Sequence, residues 1–172
     1  AVRDWLRSSP VVDIDFATKI LPQEASNLLS KAGFKVKPIG IDYGTIAIYE
    51  NKTSYEITTL RKDVLTDGRH AKVVFGDDWL EDALRRDFTI NALYADEYGS
   101  IKDPTGLGFK DLENKIIRFI GKPEARIKED YLRIIRYFRF LSKFSNNIDN
   151  SSMKACLKYA KNIKLLSGER IT

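Results

Sequence analysis

The feature that most constrains the fold is a change of pattern at Pro123. Before it, apolar runs are short and separated by turn signals, as in strands mixed with short helices. After it, "PEARIKEDYLRIIRYFRFLSKF" (123–144) places apolar residues at helical spacing behind an N-terminal proline. A second helical pattern, "SSMKACLKYAKNIKLL" (151–166), follows. The sequence therefore predicts an α+β fold with a sheet-containing head at 1–120 and a helical segment at 121–172.

Within the head, the patterns predict a helix end at "DWLRSS" (4–9), then strands and two helices, and finally turns, short strands and loops in "GSIKDPTGLGFKDLENKIIRFIG" (99–121). The predicted strands are "VVDIDFAT" (11–18), "KVKPIG" (35–40), "GTIAIYE" (44–50), "SYEITTL" (54–60) and "FTINALYAD" (88–96). The predicted helices are "LPQEASNLLSKAGF" (21–34) and "DWLEDALRRD" (78–87).

The composition excludes several classes of protein. With 43% hydrophobic residues in 172, the chain has enough apolar surface for a core and is not of the disordered type. A single cysteine allows no disulfide within the chain and suits a reducing compartment, and with one histidine it cannot build a zinc site. The sequence contains no apolar stretch of about 18 residues, so it predicts no membrane span. The net charge of +5 fits a polyanionic partner, but many proteins without one carry a similar charge.

Two like charges lie inside the apolar stretch "VVDIDFATK" (11–19). In a strand, the side chains of Asp13 and Asp15 would point to the same face. Repulsion between the two charges and their desolvation would both oppose this arrangement. Three explanations are common: a salt bridge to a basic group such as Arg3, a solvated edge strand, or a divalent metal site. Mg²⁺ typically takes one or two carboxylates from protein. A third carboxylate, Glu56 in "SYEITTL", has a parity that could place it on the same face.

A second group of polar residues follows the predicted helix at 78–87. In "LRRDFTINALYAD" (84–96), Arg85 and Arg86 are either a solvated pair or phosphate ligands, since the guanidinium fork matches phosphate oxygens. Asp87 and Asn91 either cap and turn the chain or hydrogen-bond a ribose hydroxyl.

The long helical pattern contains "EDYLRIIR" (129–136), in which Asp130 and Arg133 would share a helix face. One interpretation is an ordinary intrahelical ion pair, which contributes little. The other is base recognition, because Asp offers acceptors and Arg offers donors. Cytosine and adenine present an amino donor beside a ring-nitrogen acceptor, and guanine and uracil present the reverse. A fixed Asp–Arg pair would therefore accept C and A without a nucleic-acid template.

With these motifs, the chain resembles the class II tRNA nucleotidyltransferases (CCA-adding enzymes) and the related bacterial poly(A) polymerases, which belong to the polymerase-beta-type nucleotidyltransferase superfamily. The resemblance rests on motifs that occur in one order along nearly the whole chain: "AVRDWL…VVDIDFATK", "GTIAI", "YEITTLRKD…DGRH", "EDALRRDFTINALYAD", "DPTG…DLENKIIRFIG", "EARIKEDYLRIIRYFRF" and "LSGERI". It implies a five-stranded mixed-sheet nucleotidyltransferase head followed by a helical neck.

The resemblance also implies roles for individual residues. Asp13 and Asp15 match the D-x-D motif that holds two Mg²⁺ ions. The remaining matches imply a nucleotide-binding set with three parts. Arg3 belongs to the first motif; Arg85, Asp87 and Asn91 handle ribose and triphosphate; Asp130 and Arg133 select the base, and Arg136 contacts phosphate.

"LRKDVLTDGRH" (60–70) resembles the flexible loop that the family needs for the final A. Two departures from the family pattern accompany this match. The family has a Gly-Gly pair before the first motif, for approach to the triphosphate, and body and tail domains after the neck. The 172 residues are expected to lie between the two.

The implied function is template-independent addition of C and A to the 3′ end of tRNA, with ATP and CTP as substrates and Mg²⁺ as cofactor. The alternatives are a poly(A) polymerase or an A-adding enzyme on the same fold and, from another class, a non-catalytic RNA-binding module. A CC-only enzyme is disfavoured by the loop. The resemblance implies the bacterial cytoplasm or the mitochondrial matrix, and predicts no oligomeric state.

Overall fold

The structure, a computed structural model, describes residues 1–51, 53–67, 70–145 and 147–171. The chain forms two compact units: the first comprises Ala1–Leu65 and Ala71–Asp82, and the second comprises Thr66–His70 and Ala83–Thr172. This division reflects which residues pack together within each unit. The predicted functional boundary between head and neck at residue 120 stays a prediction.

A mixed sheet forms the centre of the first unit. Its strands are β1 (Asp15–Thr18), β2 (Lys35–Gly40), β3 (Thr45–Glu50) and β4 (Thr53–Thr59). The order is β1-β4-β3-β2, with β1 parallel to β4 and the other neighbours antiparallel. A second, two-stranded sheet consists of β5 (Arg61–Asp67) and β6 (His70–Phe75). The helices are α1 (Val2–Leu6), α2 (Pro22–Lys31) and α3 (Trp79–Leu84).

The middle strand β3 holds the core of this sheet. Ile46 and Ala47 are 1% and 0% exposed, so both faces of the strand are covered there. The strand begins behind Gly44, whose φ of +83° favours glycine. A Cβ at this glycine would lie 2.7 Å from the ring of Phe75, so a side chain is excluded by contact as well as by backbone conformation.

The α+β class with a mixed sheet is confirmed. The strand count differs slightly from the five that the resemblance implies, since the main sheet has four strands in the part of the chain that the structure describes. The predicted strand at 88–96 is instead a 3₁₀ turn at Thr89–Asn91 followed by the short strand β7 (Tyr94–Ala95). β7 pairs with β8 (Ile101–Lys102) in a sheet of their own. The turn forms because the Asp87 carboxylate accepts hydrogen bonds from the Phe88 N–H and the Asn91 side chain, which favours a turn over a strand.

Helices dominate the second unit. They are α4 (Gly108–Glu113), α5 (Pro123–Glu129), α6 (Leu132–Phe144), α7 (Asn150–Tyr159) and α8 (Gly168–Ile171), with a 3₁₀ segment at Ala160–Leu165 directly after α7. Within the ranges that the structure describes, none of the helices reaches the length and hydropathy of a membrane-crossing segment.

The single helix predicted for 123–144 is wrong, because the chain breaks between α5 and α6. Asp130 is extended, with φ −157° and ψ 110°. Its Oδ1 accepts a hydrogen bond of 3.0 Å from the Leu132 N–H, two residues further on. Aspartate competes in this way with helical hydrogen bonds and therefore favours helix ends over interiors.

Aromatic rings fill the core of the second unit. The rings of Phe119 and Tyr137 stack with centroids 5.6 Å apart and planes 17° from parallel. Phe88 contacts both rings at centroid distances of 4.9 Å and 6.2 Å. Helix α7 packs Cys156, which is fully buried, into the same cluster. The apolar stripe of α6 thus joins the segments around residues 88 and 119.

Burial raises the pKa of the Cys156 thiol to about 12. Because the thiolate is the nucleophile, we expect the native protein to react with iodoacetamide at pH 8 at least ~100-fold more slowly than an unfolded thiol. Alkylation followed by mass spectrometry, with and without urea, measures this ratio. Equal rates in both conditions would show that the thiol is accessible in the native state.

Candidate active site

The paired aspartates lie at the start of the edge strand of the main sheet. Asp15 is the first residue of β1, and Asp13 precedes the strand. Both are exposed, as are Ile14 and Phe16 at 42% and 49%. The segment is therefore not buried, and a solvated edge strand accounts for the tolerance of two like charges. Because Asp13 lies before β1, the alternation of side chains between the two faces of a strand applies to Asp15 and not to Asp13.

The third predicted carboxylate is a neighbour of one aspartate. Glu56 on β4 is the register partner of Asp15 on β1. In the part of the chain that the structure describes, however, no group of three or more His, Cys, Asp or Glu side chains is arranged to hold a metal ion. A metal at this edge would therefore depend on the two aspartates, with water and substrate supplying its other ligands.

Arg3 pairs with its neighbour in sequence. Its Nη2 lies 2.8 Å from Asp4 Oδ2 and its Nε 3.0 Å from Asp4 Oδ1, a two-point contact. Within the described ranges, Asp13 and Asp15 make no ion pair or side-chain hydrogen bond, so the salt bridge to Arg3 considered from the sequence is absent. The nucleotide contact predicted for Arg3 stays a prediction.

In the second unit, Asp87 contacts two of the other predicted residues, Arg136 and Asn91. Its Oδ2 accepts from Arg136 Nε at 2.7 Å and lies 2.6 Å from Arg136 Nη2. Its Oδ1 accepts from Asn91 Nδ2 at 2.9 Å. The carboxylate is buried, whereas the Arg136 side chain is 37% exposed. Asp87 thus orients Arg136 and Asn91, and of these three Arg136 presents the charge to solvent.

A residue that the sequence analysis missed holds the Arg85–Arg86 segment in place. Arg126 Nη2 donates to the backbone carbonyls of Arg85 and Arg86 at 2.7 Å and 2.8 Å. Its Nη1 pairs with the Glu129 carboxylate. The i, i+3 spacing of Arg126 and Glu129 in "EARIKED" was a visible signal of that ion pair. The contact with the carbonyls, 40 and 41 residues away, had no local signal.

Glu129 also positions the predicted base-recognition arginine. Arg133 Nη1 lies 2.6 Å from Glu129 Oε2 and donates to the Arg126 carbonyl at 2.7 Å. Among the described residues, the hydrogen bonds of the Arg133 side chain run through Nη1 alone. Its Nε and Nη2 donors make no hydrogen bond within these residues.

Asp130 is held from the other side. Its Oδ2 accepts from Arg170 Nη2 at 2.9 Å, while Oδ1 accepts from the Leu132 N–H. Each carboxylate oxygen has a second lone-pair site, so both remain able to accept. Asp130 and Arg133 do not share a helix face, since Asp130 precedes α6. The break between the helices, and not helical spacing, sets their arrangement.

Arg86 has a structural role in this segment. Its Nη1 donates to the Asn91 carbonyl at 3.0 Å, and its guanidinium lies 4.8 Å from the centre of the Tyr94 ring. Arg126 therefore links the Arg85–Arg86 segment to Arg133 through Glu129, and Arg86 links it to Asn91 and Asp87. The Asp130 carboxylate is held separately, by Arg170 and the Leu132 N–H.

The loop predicted at 60–70 falls largely on β5 and β6. Gly68 and Arg69 lie outside the described residues, and the predicted mobility and role of the loop stay predictions.

Comparison with known proteins decides the family. A sequence profile described as the Poly A polymerase head domain matches residues 1–118, more than half of the chain. The chain belongs to the poly A polymerase head-domain family.

Similar proteins extend the match to nearly the whole chain. Human "CCA tRNA nucleotidyltransferase 1, mitochondrial" is 43% identical over 175 residues, which cover 99% of this chain and 40% of the human protein. The crystal structure of the Bacillus stearothermophilus CCA-adding enzyme in complex with CTP is 36% identical, with a TM-score of 0.84 over 99% of this chain and 40% of that one.

A third relative is a tRNA nucleotidyltransferase complexed with a primer tRNA and an incoming ATP analog. It is 30% identical, with a TM-score of 0.76 over 99% of this chain and 48% of its own. The chain therefore spans less than half the length of these relatives. The resemblance drawn from the motifs is confirmed at the level of the family.

Proposed function

We propose that the protein is the catalytic head and neck of a CCA-adding tRNA nucleotidyltransferase. In each step, the 3′-hydroxyl oxygen of the tRNA forms a bond to the α-phosphorus of CTP or ATP. The bond between the α-phosphorus and the bridging oxygen breaks, and pyrophosphate leaves. The hydroxyl proton passes to solvent.

The observation that carries this proposal is similarity along the whole chain to proteins named for this activity. One is the human mitochondrial enzyme, 43% identical, and another is the CCA-adding enzyme that binds CTP. The match includes 119–172, beyond the head-domain profile, where Asp130 and Arg133 lie. A shared head alone would support only nucleotidyl transfer.

The donor set of Asp13 and Asp15 fits magnesium. Both are exposed carboxylates, and Mg²⁺ prefers oxygen ligands and takes one or two carboxylates besides water and substrate phosphate. When bound, Mg²⁺ supplies a lowered pKa for the attacking hydroxyl and neutralises charge on the leaving group. The two aspartates position the reacting groups, and positioning and charge stabilisation account for most of the rate.

The second unit would select and hold the nucleotide. Arg133 offers Nε and Nη2 as donors, and Asp130 offers acceptors, which complements cytosine and adenine. Asp87 orients Arg136 toward a phosphate and Asn91 toward a ribose hydroxyl, with Arg85 as a further phosphate ligand. Because Glu129 and Arg170 fix the two base-recognition side chains, the protein itself replaces a template.

Offering tRNA that ends at its discriminator base, with radiolabelled CTP and ATP and Mg²⁺, tests this function. We expect products longer by three nucleotides with the sequence CCA, and no incorporation from GTP or UTP. Sequencing of the extended 3′ ends identifies the product. Addition of A alone would indicate an A-adding enzyme.

Poly(A) polymerase is the second candidate, favoured by the name of the matching head-domain profile. It predicts a long homopolymer of A on many RNA ends and no use of CTP, so the same assay separates the two. A protein that binds RNA but incorporates no nucleotide would support the non-catalytic alternative.

We propose that the protein works in the mitochondrial matrix or in a bacterial cytoplasm. Its relatives include a human mitochondrial enzyme and a Bacillus enzyme. Fractionation of the source cells, with detection by an antibody, tests this location.

A further inference from the structure

The positive charge of the chain is concentrated in its last third. Residues 115–172 contain 14 Lys and Arg against five Asp and Glu, a net charge of +9. Residues 1–114 contain 15 Lys and Arg against 19 Asp and Glu, a net charge of −4. The last third of the chain therefore carries the net positive charge that favours a polyanion.

Nearly all acidic groups in this part already have basic partners. The pairs are Glu124 with Lys158, Glu129 with Arg126 and Arg133, Asp130 with Arg170, and Asp149 with Arg118. Glu169 is the remaining acidic residue of the segment. Most of the other lysines thus have no carboxylate in this segment to neutralise them.

Helix α7 and the 3₁₀ segment after it have two distinct faces. Ser152, Ala155 and Cys156 are buried, and Tyr159 and Ile163 pack against the aromatic core. The side away from that core carries four exposed lysines, the lysine row: Lys154, Lys158, Lys161 and Lys164. Steps of four and three residues keep these side chains on one side of a helix, and residues three apart eclipse in a 3₁₀ segment.

The lysine row is largely unpaired. Lys158 forms an exposed salt bridge of 3.0 Å with Glu124. In the ranges that the structure describes, Lys154, Lys161 and Lys164 make no ion pair. Successive lysines are about 5–6 Å apart along the axis, from the rise of 1.5–2.0 Å per residue. The row therefore presents a line of solvated positive charges.

We propose that the lysine row binds the phosphate backbone of the tRNA substrate outside the active site. This inference rests on the proposed function, which makes RNA the polyanion. Lysine ammonium groups bind phosphates as point charges and carry no base information. The row thus contributes affinity and orientation for any tRNA, whereas base choice stays with the active site.

The test compares two triple variants with the same change in net charge. One replaces Lys154, Lys161 and Lys164 by glutamine. The control replaces Lys31, Lys35 and Lys110 by glutamine as well; these are three exposed lysines far from the lysine row in sequence. The dissociation constant for tRNA is measured by filter binding over a series of salt concentrations.

For the row variant, we expect the slope of log affinity against log salt to fall by about 2, because each phosphate contact contributes about 0.7–0.9. The Michaelis constant for tRNA should rise more than that for CTP. The control variant should keep the parental slope. Equal slopes for the two variants would overturn the proposal.

The outcome is separable from that of the proposed function. A parent protein that binds tRNA through the row but incorporates no nucleotide would support the row and contradict the proposed function. If the parent protein incorporates CTP and ATP but the salt dependence of tRNA binding does not change in the row variant, the proposed function is supported and the role of the lysine row is contradicted. Row-dependent binding to phosphatidylserine vesicles but not to tRNA would assign the row to a lipid surface and overturn the proposal.

Discussion

Replacing Asp13 or Asp15 by asparagine is expected to reduce the rate of CTP incorporation by roughly 100- to 1,000-fold, the loss typical of removing a group that stabilises transition-state charge. Both carboxylates are exposed and make no contact that the described fold depends on. The variants should therefore keep the parental melting temperature. Single-turnover incorporation and thermal unfolding together separate loss of chemistry from loss of structure.

The matched control is Glu24→Gln, an exposed carboxylate on α2 of the same unit, which should leave incorporation unchanged. The double variant should be little worse than either single variant, because residues that act as one unit are not additive. Binding of Mn²⁺ in the presence of CTP, followed by electron paramagnetic resonance, gives a readout that does not depend on turnover. Normal Mn²⁺ binding and incorporation by Asp13→Asn would end the metal assignment.

Much of the fold was predictable because it depends on local patterns. The strands at 35–40, 45–50 and 53–59 and helix α2 lie where alternation, helical spacing and turn residues placed them. Proline at the start of α5 and the helical pattern of α7 were also correct indicators. In these segments, the local preference and the burial in the fold agree.

The wrong predictions of secondary structure lie where an aspartate side chain accepts a hydrogen bond from the nearby backbone. Asp87 turns the chain that had been predicted to continue as a fifth strand, and Asp130 ends a helix that the apolar stripe would have continued. A periodicity argument counts apolar positions and does not weigh such hydrogen bonds. Both residues are also site candidates, so the same polar side chains that suit a functional site determine the local backbone structure.

For the candidate site, the sequence indicated individual residues but few of the contacts between them. The sequence indicated Asp87, Asn91 and Arg136, and the structure connects them. Nothing in the sequence linked Arg126 to the carbonyls of Arg85 and Arg86. Contacts over 40 residues depend on how α5 packs, which single-sequence patterns do not give.

Replacing Arg126 by alanine is expected to lower the free energy of unfolding by about 2–4 kcal/mol, and to reduce incorporation by roughly 100-fold. Its side chain is 13% exposed, and its guanidinium satisfies two backbone carbonyls and the Glu129 carboxylate. Hydrogen bonds to a charged donor are worth about 1.5–3 kcal/mol each, and loss of the donor leaves part-buried acceptors unsatisfied. Arg133, which shares Glu129, would lose part of its support.

The conservative variant distinguishes positioning from charge. Arg126→Lys keeps the positive charge but cannot contact two carbonyls and a carboxylate with one planar fork, so it should recover less than half of the lost unfolding free energy. If Arg126 positions the nucleotide-binding segment, both variants should raise the Michaelis constant for CTP more than that for tRNA. Arg139→Ala, an exposed arginine on α6, should change stability by at most about 0.5 kcal/mol. Parental stability and parental CTP kinetics in Arg126→Ala would show that these contacts contribute nothing to the site, because removal of a part-buried guanidinium with three acceptors must have an effect if it holds the segment.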